Sequence, residues 1–117
     1  AEQPEGMSGA LFLSRSLMAT MLVVEDSTEE DERELAALAR ALAHPTRLRI
    51  LRILDERQSC VCGDIVEVLP IAQSTVSQHL KVLREAGLIS GEVDGPRTIY
   101  ALEPERIERF RALVSAL

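Results

Sequence analysis

The chain has 117 residues, two cysteines and a net charge of −6, with 46% hydrophobic but only 3% aromatic residues. A domain of this length buries one core without staples; the shortage of aromatics makes that core aliphatic, and two cysteines exclude a disulfide framework. The negative charge is uneven: residues 1–43 hold three arginines against nine acids, whereas residues 44–102 balance seven bases against seven acids, which leaves room for a phosphate-binding face in the second half.

Residues 1–28 are expected to be a separate N-terminal extension, and residues 29–117 the folded domain. The apolar patch GALFLSRSLMATMLVV is too short to span a bilayer and is interrupted by Arg15. It also lacks the basic start and cleavage site of a signal peptide. It reads either as an extra amphipathic helix packing on a partner subunit or as a disordered leader before an internal start at Met7, Met18 or Met21. No membrane partner is expected, and the location is cytoplasmic and reducing.

From Ser27 the run STEEDERELAALARAL opens with a Ser/Thr cap and first-turn acids, which suit the positive end of a helix. Leu35, Leu38 and Leu42 follow at helical spacing. Pro45 starts a second helix, with Leu48, Ile50, Leu51, Ile53 and Leu54 facing inward; RQS after it is extended. VCGDIVEVL gives a short third helix closed by Pro70, and AQSTVSQHLKVLREAGL a fourth, with Gly87 as its C-terminal cap. LISGEV and RTIYAL then alternate about Asp94-Gly95 as a hairpin. The last helix starts at Pro104 and repeats Ile107, Phe110, Leu113, Val114 and Leu117 on one face. The predicted fold is mainly α with a small β hairpin: a winged helix-turn-helix with flanking N- and C-terminal helices.

Within residues 73–86, Val76, Leu80 and Leu83 fall within about 60° of one another and face the core. The outer face carries Gln73, Ser74, Thr75, Ser77, Gln78 and Lys81. Hydroxyls and amides at a helix start can read base edges and phosphates, and the second helix of such a motif enters the major groove by its N-terminal residues. The same QST run could instead serve only as a cap. Arg97, just past the turn, is placed to touch DNA from the wing, or is an ordinary solvated charge. His79 sits at the edge between core and groove, with no second His on its face.

Cys60 and Cys62 stand immediately before the helix-turn-helix. Their spacing alone leaves a thiophilic-ion site, a redox pair and apolar packing all open. A helix start would favour the thiolate, and i,i+2 side chains on one helix diverge by about 200°, so joint coordination requires Cys60 to lie outside the first turn or the turn to deform.

Taken together, LARALAHPTRLRILRILDE, SCVCGDI, AQSTVSQHLKVLREAGLI and GEVDGPRTIYAL, about residues 32–102, resemble the ArsR/SmtB family of metal-responsive repressors. The resemblance implies a homodimer joined through the first and last helices, a palindromic double-stranded operator, and release of DNA by an inducer. Cys60-Val61-Cys62 matches the family's CVC box for arsenite, antimonite or a soft divalent metal such as Cd or Pb. The match is incomplete: Ile65 occupies the position of a frequent third cysteine, and the last helix has no His or Asp for the alternative zinc site. Asp64 and His44 are poor supplementary zinc ligands. A thiol–disulfide enzyme would need a thioredoxin-like context that is missing, and no other catalytic motif is present; the chain is not expected to be an enzyme or to require a resident cofactor.

Overall fold

The computed structural model describes residues 29–117, so the expected extension over residues 1–28 and the cap at Ser27 and Thr28 lie outside the described residues. The element order is α1 (Glu29–Leu42), α2 (Pro45–Arg57), β1 (Cys60–Val61), α3 (Cys62–Val68), α4 (Gln73–Glu85), β2 (Ile89–Asp94), β3 (Arg97–Leu102) and α5 (Pro104–Ser115). The described residues form two compact units, one over residues 37–107 and one from residues 29–36 with 108–117. In the terminal unit, Arg109 Nη2 lies 2.9 Å from both Asp31 Oδ1 and Glu34 Oε1, an ion cluster that ties α5 to the acidic first turn of α1.

The larger unit carries the helix-turn-helix and its wing. Ile50, Ile53 and Leu54 of α2, Ile65 of α3, Val76, Leu80 and Leu83 of α4, and Leu88 and Ile89 at the sheet entry are all buried. Leu48, expected to face inward, is 44% exposed. At 100° per residue it lies about 160° from Ile50, whereas Ile53 and Leu54 lie within about 60°, so its spacing puts it on the back of the helix. The face expected on α5 is also only partly covered: Leu113 is buried, but Val114 is exposed, and Leu117, 92% exposed, falls beyond the helix end.

The sheet has three antiparallel strands in the order β1–β3–β2, one more than the expected hairpin. The residues that become extended are Cys60 and Val61, paired with Tyr100 and Ile99. Just before them Gln58 holds φ +73, its N–H closing on Leu54 C=O at 2.8 Å and its Nε2 donating to Asp55 C=O at 2.8 Å. Asp94 pairs with Arg97, so the central turn residues are Gly95 and Pro96 rather than Asp94 and Gly95. Gly95 has φ +65, and Pro96 cannot follow it into positive φ; the glycine-first turn that matches strand twist is the one left.

Gly87 ends α4 as expected. With φ +81, it lets Gly87 N–H bond Arg84 C=O at 2.9 Å and Leu88 N–H bond Leu83 C=O at 3.0 Å, a Schellman closure that turns the chain into β2. A Cβ there would meet Arg106 Nε at 3.0 Å. Gly87→Ala is therefore expected to cost about 1–2 kcal/mol, and Leu80→Ala about 2–5 kcal/mol through a core cavity. Both are read as a lower urea midpoint at unchanged slope.

Candidate nucleic-acid interface and thiol pair

The outer face of α4 is free for recognition because the helix is capped by main chain alone. Ala72 is its N-cap and makes no side-chain cap bond; its carbonyl accepts from Thr75 N–H at 3.1 Å and Val76 N–H at 3.0 Å. Gln73, Ser74 and Thr75 thus occupy the first three helical positions with exposed side chains, and the cap role their sequence allowed is not used. Ser77, Gln78 and Lys81 are exposed on the same helix. Arg97 opens β3 at the hairpin tip, 3.5 Å from Asp94 Oδ2, with both side chains about 60% exposed. Such a pair contributes little and leaves the guanidinium free to exchange partners.

One cation on this face was not anticipated. Arg84 lies over β2 where Gly91 has no side chain: a Cβ at Gly91 would meet Arg84 Nη1 at 3.0 Å and Cδ at 3.1 Å. Between α4 and β3 a groove of about 400 Å³ is lined by Ser77, Lys81, Arg84, Glu85 and Tyr100. The only sign of it in the sequence is a glycine inside a strand, which marks a close approach.

The thiols sit on different elements. Cys60 is in β1 and 3% exposed, whereas Cys62 is the first residue of α3 and partly exposed; both are free. The divergence of i,i+2 side chains along one helix therefore does not apply to them. The expected thiolate-favouring effect of the helix start does not reach Cys60. Burial chiefly, with the Asp64 carboxylate adding, pushes its pKa above the ordinary 9.0 against an opposing pull from Arg57. Cys62 Sγ lies 3.6 Å from Ser77 Oγ, in direct touch with the recognition face. Asp64 is occupied: its Oδ2 accepts Val61 N–H at 3.1 Å, closing the start of α3.

Behind α4, Arg47 joins three elements. Its Nε donates to Ala41 C=O at 2.6 Å and its Nη2 to Arg40 C=O at 3.3 Å, closing the end of α1, while Nη1 lies 3.1 Å from His79 Nδ1. An arginine can only donate, so that imidazole nitrogen is the acceptor and is unprotonated. His44 N-caps α2, its Nδ1 accepting Thr46 N–H at 3.1 Å, and its ring lies 4.4 Å from that of His79. Burial first, then His44 and Arg47, lower the His79 pKa from 6.5. No group of three His, Cys, Asp or Glu side chains among the described residues could hold a metal ion, and His44 and Asp64 are both engaged elsewhere.

Residues 44–90 match the family model for "Bacterial regulatory protein, arsR family". The chain is 35% identical over 85 residues to the arsenical resistance operon repressor of Bacillus subtilis, covering 72% of this chain and 80% of that protein. It belongs to the arsR family. It is also 46% identical over 65 residues to the HTH-type transcriptional repressor SmtB of Mycobacterium tuberculosis, covering 56% of this chain and spanning about half, 47%, of that relative. A crystal structure titled as a possible transcriptional regulator for arsenical resistance superposes with a TM-score of 0.62 at 34% identity, covering 68% of this chain and 81% of that one. The relatives are transcriptional regulators with the winged-helix architecture described above.

Within this arsR-family fold, the Arg47–His79 contact is a proton-sensitive joint between α2 and the recognition helix. Because the folded-state pKa of His79 is depressed, the neutral ring favours the fold. Its contribution is fully present above about pH 6.5 and is lost as pH falls through the lowered folded value. The melting temperature is expected to fall between pH 7 and pH 5, and His79→Gln, which keeps an acceptor but does not titrate, should flatten that fall in thermal melts across the range.

Proposed function

We propose that the chain is a homodimeric winged-helix repressor that holds a palindromic double-stranded operator and releases it when As(III) or Sb(III) binds at Cys60 and Cys62. The observation that carries this reading is the contact between Cys62 Sγ and Ser77 Oγ, which joins a thiol at the start of α3 to the exposed face of α4. Gln73, Ser74, Thr75, Ser77 and Gln78 supply donors and acceptors for base edges and phosphates. Lys81 and Arg97 supply charge to the backbone, the latter from the wing. Exposed Val114 and Leu117 on the terminal unit support dimerisation through the terminal elements. The described residues contain no helix long and apolar enough to cross a membrane, in keeping with a regulator that works in the cytoplasm.

The donor set fits a thiophilic ion and does not fit tetrahedral zinc. Two thiols offer soft ligands, but a structural zinc site needs four, and Asp64 and His44 already hold backbone N–H groups. Capture of an ion by both thiols requires Cys60 to leave its buried place in β1, and α3 moves with it. Such coupling between sites typically amounts to about 1–3 kcal/mol, a 5–150-fold loss of operator affinity.

Fluorescence anisotropy of a labelled upstream promoter fragment tests this. The reduced protein is expected to bind, and arsenite or antimonite to release it. Cys60→Ser and Cys62→Ser should each abolish release without weakening the ion-free complex. Release by Cd(II), Pb(II) or peroxide alone would reassign the inducer, and an absence of specific binding would overturn the repressor reading. Gln78→Ala should cost about 1–3 kcal/mol and relax specificity. Lys81→Ala should weaken all sequences alike and reduce the salt slope by about one.

A further inference from the structure

We propose that the groove between α4 and β3 binds an anionic low-molecular-weight thiol, which supplies the third sulfur to an ion held by Cys60 and Cys62; this rests on the thiol-sensor reading above. Trivalent arsenic takes up to three thiolates, and this chain has two cysteines. Each is next to a residue that lines the groove, though neither lines it itself. Cys60 pairs across the sheet with Tyr100, and directly paired residues put their side chains on one face. Cys62 Sγ lies 3.6 Å from Ser77 Oγ. Tyr100 and Ser77 are both lining residues of the groove, so an ion that Cys62 holds together with a displaced Cys60 faces it.

The rest of the lining selects the ligand. Lys81 and Arg84 are two cations, Glu85 is one carboxylate, and the volume of about 400 Å³ lies in the range of small-molecule sites. Arg84 is set over the Gly91 backbone, and Gly91 pairs with Tyr100, so the guanidinium lies on the face that carries Tyr100 and Cys60. A fixed guanidinium is suited to carboxylate recognition. A thiol bearing two carboxylates and one ammonium, as glutathione does, complements two cations and one carboxylate. The step balances without redox change: As(OH)₃ exchanges three hydroxyls for three sulfurs, each thiol proton leaves in a water molecule, and arsenic remains trivalent. The bound thiol then covers Ser77 and Lys81, so it excludes DNA from the recognition face directly.

Native mass spectrometry and arsenite titration of the reduced, thiol-free full chain test the site, with glutathione, 2-mercaptoethanol or glutathione diethyl ester added at equal thiolate concentration. A protein–arsenic–glutathione 1:1:1 species is expected. Arsenite should bind about tenfold tighter with glutathione than with either other thiol, the scale of one charge-assisted hydrogen bond. Arg84→Gln should erase that preference while arsenite still binds; the ester arm tests the same charge on the unaltered protein. Equal affinity with all three thiols would overturn the groove proposal and leave the thiol sensor standing. An absence of arsenite binding under every thiol, or binding unchanged by Cys60→Ser and Cys62→Ser, would overturn the sensor reading itself.

Discussion

The pairing of Cys60 and Val61 with Tyr100 and Ile99 is the constraint on which the rest of the site depends. Two residues of strand make a small addition to a hairpin, yet they fix where α3 begins. Val61 ends the strand and caps the helix, and its N–H is taken by the Asp64 carboxylate. The cysteines are therefore divided between a sheet and a helix by one peptide. Pulling Cys60 out of its pairing disturbs the cap of α3 at the same time, because the two features share a residue.

Polar contacts then bring α1 and α2 to the recognition helix. Carbonyls at the end of α1 lack helical partners, and Arg47 satisfies two of them while touching His79. His44 starts α2 with one nitrogen and sets its ring, tilted by 52°, against that of His79. The orientation of α4 is thus set from behind by two imidazoles and one guanidinium, and from the core side by Val76, Leu80 and Leu83. Its outer residues make few commitments inside the protein, as a surface that must exchange water for DNA requires.

The helical framework was legible in the sequence because caps and periodicity agreed: Pro45, Pro104 and Gly87 stand where a start or stop was expected, and α4 buries the predicted triad. Leu48 was misplaced because an apolar residue two positions before Ile50 lies about 160° around the helix from it. β1 left no trace, since two residues carry no alternation; its strand partners are some forty residues away. The turn shifted by one residue because Pro96 has no N–H to close a turn about Asp94-Gly95 and sits inside the turn instead. Arg47 and His79 are 32 residues apart, and a single chain read locally contains no signal that pairs them; Arg84 is close in sequence to Gly91, but only the strand glycine hinted at their approach.

The division of buried surface decides which part of the molecule gives way when an inducer arrives. α4 is held by three fully buried side chains over 13 residues, whereas α3 is seven residues long with Ile65 as its one buried side chain. Short elements with few buried contacts open at low free energy, while core helices move only with global unfolding. On the proposed thiol-sensor reading, binding at the thiols strains β1 and α3 first and leaves the core of α4 intact. Since Cys62 already touches Ser77, a shift confined to the start of α3 reaches the recognition face in a single contact. On that reading the domain loses its operator without losing its fold.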